Sequence, residues 1–425
     1  AMSQYLLLKQ GTIHNAIEEE PFVADILVEN GKIKKIAPVL EGKIINDAEV
    51  IDAMGIDIYP GFVDAHCHMG LDGYATGFAG EDYNELGDPV TPQLSAVDAV
   101  NPQDETFQMA REGGVTCVCT GPGSSNVIGG TFCAIKTYGK RVDDMLVKEK
   151  TAMKIAFGEN PKNCYKEKGV YSRMSVAAKL REALTKAKIY DRQLQAAGCP
   201  EGWNELQMEH TWEQAQEQVM DNSQKTDADM QVDFSKMPAY DAKMEALLPV
   251  IRGEMPLKAH AHRADDIYTA IRIAKEFHVD LRIDHTTDGA LIADDLAKEG
   301  YPVAVGPSFG HATKYELRHK GFHTPAALAK AGCQVSIITD SPVIEERYLA
   351  LCAGRAVFNG LSEFDALKAI TINAAKHIGI EDRVGSIEEG KDADFVLTRE
   401  NPFAVDTHIL YTIIDGNVVY QGESE

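Results

Sequence analysis

No stretch of the 425 residues is apolar and uncharged for long enough to cross a bilayer, so a membrane span is not expected. Positive charge is scarce. Against 65 Asp and Glu stand 42 Lys and Arg, a formal charge of −23 that repels polyanions and excludes nucleic acid as an expected partner. The eight cysteines form no CxxC pair, and several lie in apolar runs such as VTCVCT. They read as reduced, buried thiols of a cytoplasmic protein, not as a disulfide framework or a cysteine metal site. A GxGxxG fingerprint, a low-complexity tract and a short repeat are all missing. The opening AMSQYLLLKQGTIHN has no basic patch followed by an apolar stretch, so no secretory leader is expected.

What is present is ordinary globular material, 44% hydrophobic and 25% charged, in a length that suits one large unit and something smaller. Residues 1–60 carry short alternating segments, and Asn30-Gly31 within ILVENGKIKKI is a hairpin signal. From Pro60 the texture changes. The runs GFVDAHCH, GVTCVCTGPG, AMKIAFGE, PLKAHAH, DLRIDH, YPVAVGP and CQVSIITDS alternate with segments of helical period. Strands alternating with helices imply parallel βαβ units, and so many repeats over 61–379 predict a closed (β/α)₈ barrel, with a doubly wound sheet as the alternative. The polar segment 158–254, including EQAQEQVMDNSQKTDADMQ, reads as a helical excursion after a barrel strand. Short strands return over 380–425, where Asp415-Gly416 marks another hairpin, and the two ends are expected to build one small β-domain.

Chemistry concentrates at the ends of the apolar runs. In a strand the side-chain period is two, so His66 and His68 of GFVDAHCH share a face, as suits one metal ion. His260, His285 and Asp340 recur at the ends of later runs, and ligands from several strand ends converge at one barrel mouth. Imidazole and carboxylate together favour a divalent transition metal, Zn²⁺ foremost with Mn²⁺ or Fe²⁺ as alternatives. Such an ion makes water nucleophilic at neutral pH; Asp340 is the natural general base, and His285 could bind a second ion or polarise a carbonyl.

These segments, with the closing run ALKAITINAAKHIGIEDRVGSIEEGKDADFVL, resemble the amidohydrolase superfamily over essentially the whole length. The FGENPK and HAHRADDI segments look most like its imidazolonepropionase-like and Xaa-Pro dipeptidase-like branch. The resemblance implies a TIM barrel beside a composite β-sandwich. It also implies His66, His68, His260, His285 and Asp340 as ligands to one or two ions, with Asp340 also the base. Binuclear relatives add a bridging carboxylated Lys or Glu. The candidates here are Lys154, which strand alternation points inward, and Glu159, favoured because it lies five residues nearer the catalytic end.

His262 shares a strand face with His260, and Arg263 follows at the rim; either could hold a substrate carboxylate, Arg263 with the better fork geometry unless Asp265 or Asp266 occupies it. The glycine-rich stretch 120–130 reads as an irregular loop shaping the pocket or cradling an anion. His311, His319 and His323 read as surface histidines. The expected reaction is hydrolysis of an amide, cyclic amide, or N-acyl amino acid or dipeptide. The alternatives are deamination of a heterocycle on the same site and a metal-free scaffold. A small-molecule substrate and a homo-oligomer are the expected partners.

Overall fold

Two eight-stranded sheets organise residues 5–203 and 232–423, the residues that the computed structural model describes. The run EQAQEQVMDNSQKTDADMQ, residues 213–231, lies outside them. No helix among the described residues is long and apolar enough to cross a membrane.

The first sheet takes strands from both ends of the chain: β1 (Tyr5–Ile13), β2 (Phe22–Glu29), β3 (Lys32–Ala37), β4 (Glu49–Asp52) and β5 (Asp57–Pro60). The second sheet lies between these and the last three strands in sequence. It is built from β6 (Phe62–Cys67), β7 (Val115–Thr120), β8 (Ile128–Lys136), β9 (Leu146–Ala156), β10 (Leu257–Ala261), β11 (Leu281–His285), β12 (Val303–Val305) and β13 (Val335–Ile337). Then β14 (Phe395–Thr398), β15 (Ile409–Ile414) and β16 (Asn417–Gln421) return to the first sheet, whose order is β16-β15-β14-β5-β1-β2-β3 with β4 branching from β1. Both predicted hairpins form, with positive φ at Asn30 and Gly31 and again at Asp415 and Gly416, as a type I′ turn requires. Where the resemblance implied a sandwich, the strands are hydrogen-bonded into one branched sheet over a core that includes Leu8, Ile26, Ile58 and Phe395.

The second sheet runs in the order β13 to β6, and its ends almost meet: Asp340 N donates to His66 O over 3.2 Å and His68 N to Ser341 O over 2.8 Å. It is a nearly closed barrel of mixed direction, and here the (β/α)₈ expectation needs correcting. Seven strands run parallel, but β8 is antiparallel to both β7 and β9. The cause is local. Residues 121–127 reverse the chain without a helix, and the glycine-rich stretch read as a loop already belongs to β8 from Ile128 on. At Gly130, with φ of 120°, a Cβ would lie 2.4 Å from Leu94 O, so only glycine lets that segment pass.

Helices cover the outside of the barrel. Ala264–Phe277 buries Ile267, Ala270, Ile271, Ala274 and Phe277, the i, i+3, i+4 stripe that faces a sheet. The excursion after β9 contains the 25-residue helix Arg173–Ala197, started by a capping box between Ser172 and Ser175.

Candidate metal centre

Five imidazoles gather at the end of the barrel where the parallel strands finish. His66 and His68 come from β6 and the residue just past it, His260 from β10, His262 from the turn after β10 and His285 from the end of β11; all five are buried. Ring centroids lie 4.9 Å apart for His66 and His285, 4.4 Å for His260 and His285, and 4.5 Å for His260 and His262. Asp340, beyond β13, puts Oδ1 3.0 Å from His68 Nε2 and 3.2 Å from His66 Nε2, and its side chain is 16% exposed. Both His285 (φ 71°) and Asp340 (φ 57°) hold left-handed backbone that non-glycine residues rarely adopt, a strain typical of functional positions. For His285 the strain has a use: the β10–β11 register pairs His260 with Asp284, so simple alternation would turn His285 away from His260.

The outer nitrogen of each ring is pinned. Nδ1 of His66 donates to Asp284 Oδ2 (2.6 Å), of His68 to Gly121 O (2.7 Å) and of His285 to Gly306 O (2.7 Å). His260 Nδ1 pairs with Ser124 Oγ at 2.7 Å and His262 Nδ1 with Thr287 Oγ1 at 2.6 Å. A carbonyl or carboxylate partner fixes the Nδ1–H tautomer, so Nε2 carries the lone pair. The Nε2 atoms of His66, His260 and His285 are buried without a hydrogen-bond partner, as is Lys154 Nζ. Two groups, His260–His262–His285 and His66–His285–Asp340, each bring their ligand atoms within 4.8 Å of one another. Buried bare lone pairs facing each other are costly unless a cation lies among them, so this donor set fits one or two divalent ions.

Electrostatics point the same way. Burial pushes His260 and His262 well below the usual imidazole pKa, with repulsion from His285 adding to it, and brings His285 down to about 3. These rings are neutral at pH 7, the form that binds metal. Burial alone would raise Asp340, but the close approach of the His285, His66 and His68 rings holds it well below the usual carboxylate range. Lys154, inward on β9 with Nζ 5.3 Å from the Phe132 ring centroid, is lowered by burial to about 8.

Two sequence-based assignments need correction. Glu159 does not join the cluster: its Oε2 accepts from Glu316 N (2.9 Å) and its own N donates to Glu316 Oε2 (3.0 Å), because β9 ends at Ala156 and the chain turns at Gly158 into a short helix. Lys154 is the candidate that reaches the interior. Arg263 is also elsewhere, held by both oxygens of Asp265 where the helix Ala264–Phe277 begins. His262, read as a substrate contact, stands among the imidazoles and lines the cavity. His311 and His323 are exposed, and His319 pairs with Asp288 over 2.8 Å.

Sequence reasoning missed Asp284, Lys258, His377, Ser124 and Lys314. Asp284 is fully buried and takes His66 Nδ1, His377 Nε2 (2.7 Å) and Lys258 Nζ (2.8 Å). The dipeptide Asp284-His285 was the available signal, since the register places Asp284 beside His260. Lys314 lines the cavity with Nζ bound to Asn160 Oδ1 (2.8 Å) and Glu316 Oε1 (3.0 Å); nothing in its loop sequence singles it out. The cavity over the cluster measures about 330 Å³, the scale of a small-molecule site.

Acid should loosen this region in a defined window. Burial, against the pull of Asp284, lowers His377 to about 4, below the 6.5 of a free imidazole. Its contribution to stability is therefore fully present above pH 6.5 and is lost as the pH falls towards 4, about 3 kcal/mol in all. Urea unfolding of His377→Leu at a series of pH values should show a shallower decline over that window than the unsubstituted protein; identical declines would contradict the assignment.

Residues 58–419 match the amidohydrolase family. The chain belongs to that family. Amidohydrolase tasK of Hapsidospora irregularis is 26% identical over 420 residues, 94% of this chain but 40% of tasK, so this chain spans less than half of that relative's length. An amidohydrolase from Thermotoga maritima MSB8 has a solved structure with TM-score 0.83 and 38% identity, covering 98% of this amidohydrolase and all of that chain. A prolidase solved with N-methylphosphonate-L-proline, at 16% identity and TM-score 0.57 over 98% and 100% of the two chains, shares the fold.

Proposed function

We propose that this amidohydrolase holds one or two divalent ions, Zn²⁺ foremost, at the imidazole cluster and hydrolyses a carbon–nitrogen bond of a small amide. The observation that carries the reading is the convergence of the unpartnered Nε2 atoms of His66, His260 and His285 beside Asp340. An ion held there would supply Lewis acidity and lower the pKa of water towards about 7.

The chain's own residues do the rest. His66, His68, His260, His285 and Asp340 would hold the metal, and Lys154, whose buried unpartnered amine has a lowered pKa, could add CO₂ with loss of a proton and so offer a carbamate as a further ligand. Asp340 is ionised at neutral pH and open to the cavity, so it takes a proton from the attacking water and passes it to the departing nitrogen. His262, anchored through Nδ1 on Thr287, presents its other nitrogen as a further ligand or as a donor to the substrate carbonyl. Lys314, on the cavity wall, is paired with Asn160 and Glu316 and keeps one N–H for an acceptor on the substrate.

Metal analysis of purified protein, followed by hydrolysis assays on N-acyl amino acids, dipeptides and cyclic amides, tests the reading. Metal in stoichiometric amount and amide cleavage abolished by chelation are expected, whereas a protein that takes up neither Zn²⁺ nor Mn²⁺ would overturn it. If the binuclear form is correct, Lys154→Ala lowers the metal-to-protein ratio from two to one and Glu159→Gln leaves it at two; the opposite pattern restores Glu159 as the bridge.

A further inference from the structure

The partners that pin the five imidazoles are not alike. His68 and His285 lean on carbonyls, His260 and His262 on hydroxyls, and only His66 leans on a carboxylate, Asp284. That carboxylate is itself held from the far side. Its Oδ2 takes His66 Nδ1 and Lys258 Nζ, while Oδ1 takes His377 Nε2 at 2.7 Å. Lys258 also donates to Ala65 O over 2.8 Å, immediately before His66 in β6. His377 ends the helix Ile372–His377, lies 93 residues from Asp284 and is 1% exposed; its Nδ1 is buried without a partner. A histidine is thus kept in the core with one nitrogen unsatisfied, where an apolar side chain would leave nothing unpaired.

Lys258 alone would balance the charge of Asp284, but one ammonium on one oxygen leaves the carboxylate plane free to turn. With Oδ1 tied to His377 and Oδ2 tied to Lys258, the plane is fixed, and with it the direction of the His66 ring.

We infer that His377 is a positioning residue for metal binding: through Asp284 it locks His66 with Nδ1–H outward and the Nε2 lone pair towards the ion. The inference rests on the metal-dependent reading above and extends it to a residue that touches neither ion nor substrate. Outer partners of this kind typically change metal affinity 10- to 100-fold.

The test is Zn²⁺ affinity, measured by competition with a chromophoric chelator on the full chain, for the unsubstituted protein, His377→Leu and His377→Gln. The leucine variant is expected to bind about 10- to 100-fold more weakly, and glutamine, whose amide N–H can replace Nε2–H, to recover most of that loss. As a readout that packing alone does not move, the Nδ1–H proton resonance of His66 in the Zn²⁺-loaded protein is expected to shift in His377→Leu and to return in His377→Gln. Leucine and unsubstituted proteins of equal affinity overturn the inference, and so does glutamine binding as weakly as leucine. Should His377→Leu fail to fold, the same comparison is made between the unsubstituted protein and His377→Gln against His377→Asn, whose shorter amide does not reach Asp284; equal affinity of all three overturns it. Failure of the unsubstituted protein to bind Zn²⁺ overturns the metal-dependent reading itself, which separates the two.

Discussion

Exchanging Asp340 for asparagine is expected to lower kcat by about 10³-fold or more while the protein stays folded and keeps most of its metal. The size follows from the role: a positioned general base contributes about 10²- to 10⁴-fold, and an amide cannot take its place in carrying a proton. The fold should survive because the Asp340 side chain is partly open to the cavity and asparagine matches it in size and keeps an oxygen acceptor. Steady-state turnover of whichever amide the substrate screen identifies, with metal content and thermal unfolding measured alongside, checks this. Turnover within a few-fold of the unsubstituted protein would remove Asp340 from the base role.

The largest expected loss of stability lies away from the metal. Lys136 ends β8, and its buried ammonium contacts Asp394 Oδ2 (2.6 Å), Asp392 Oδ2 (3.0 Å) and Asp415 Oδ1 (3.0 Å), so it ties the barrel to the first sheet. Among the described residues, Lys136→Met removes the only cation in contact with Asp394, which is itself buried, while Asp392 keeps Arg383 and Lys32. Breaking a buried pair from one side typically costs about 3–5 kcal/mol, because the stranded charge stays in the core. Denaturant unfolding at pH 7 should show a deficit of that size, and it should shrink in acid as Asp394 takes up a proton in the variant. A deficit under about 1 kcal/mol would mean that solvent reaches the carboxylates and the junction holds by packing alone.

Much of this was legible in the residues. The hairpins at Asn30-Gly31 and Asp415-Gly416 declare themselves because only a few dipeptides accept two consecutive positive φ values. The clustered residues His66, His68, His260, His285 and Asp340 declare themselves because they stand at or near the ends of apolar runs. What stayed hidden had no local cause to display. The strand β8 is hard to see since Gly129 and Gly130 in IGGTFCAIK read as loop, and its direction depends on the short connection before it. Glu159 misled because distance along a strand presumes that the strand continues, and it stops short of Gly158. His377 and Lys314 are parts of a helix end and a loop whose spatial neighbours are 93 and 154 residues away. Periodicity carries no information over such separations.

The backward course of β8 limits where this chain can vary. In a barrel of uniform direction each mouth loop serves its own strand and can lengthen without disturbing the next. Here a single seven-residue reversal, 121–127, supplies both the Gly121 carbonyl that steers His68 and the Ser124 hydroxyl that steers His260, rings delivered by β6 and β10. An insertion there would misalign rings from two separate strands at once, whereas the rim stretch that carries Lys314 can change the cavity wall without touching either partner.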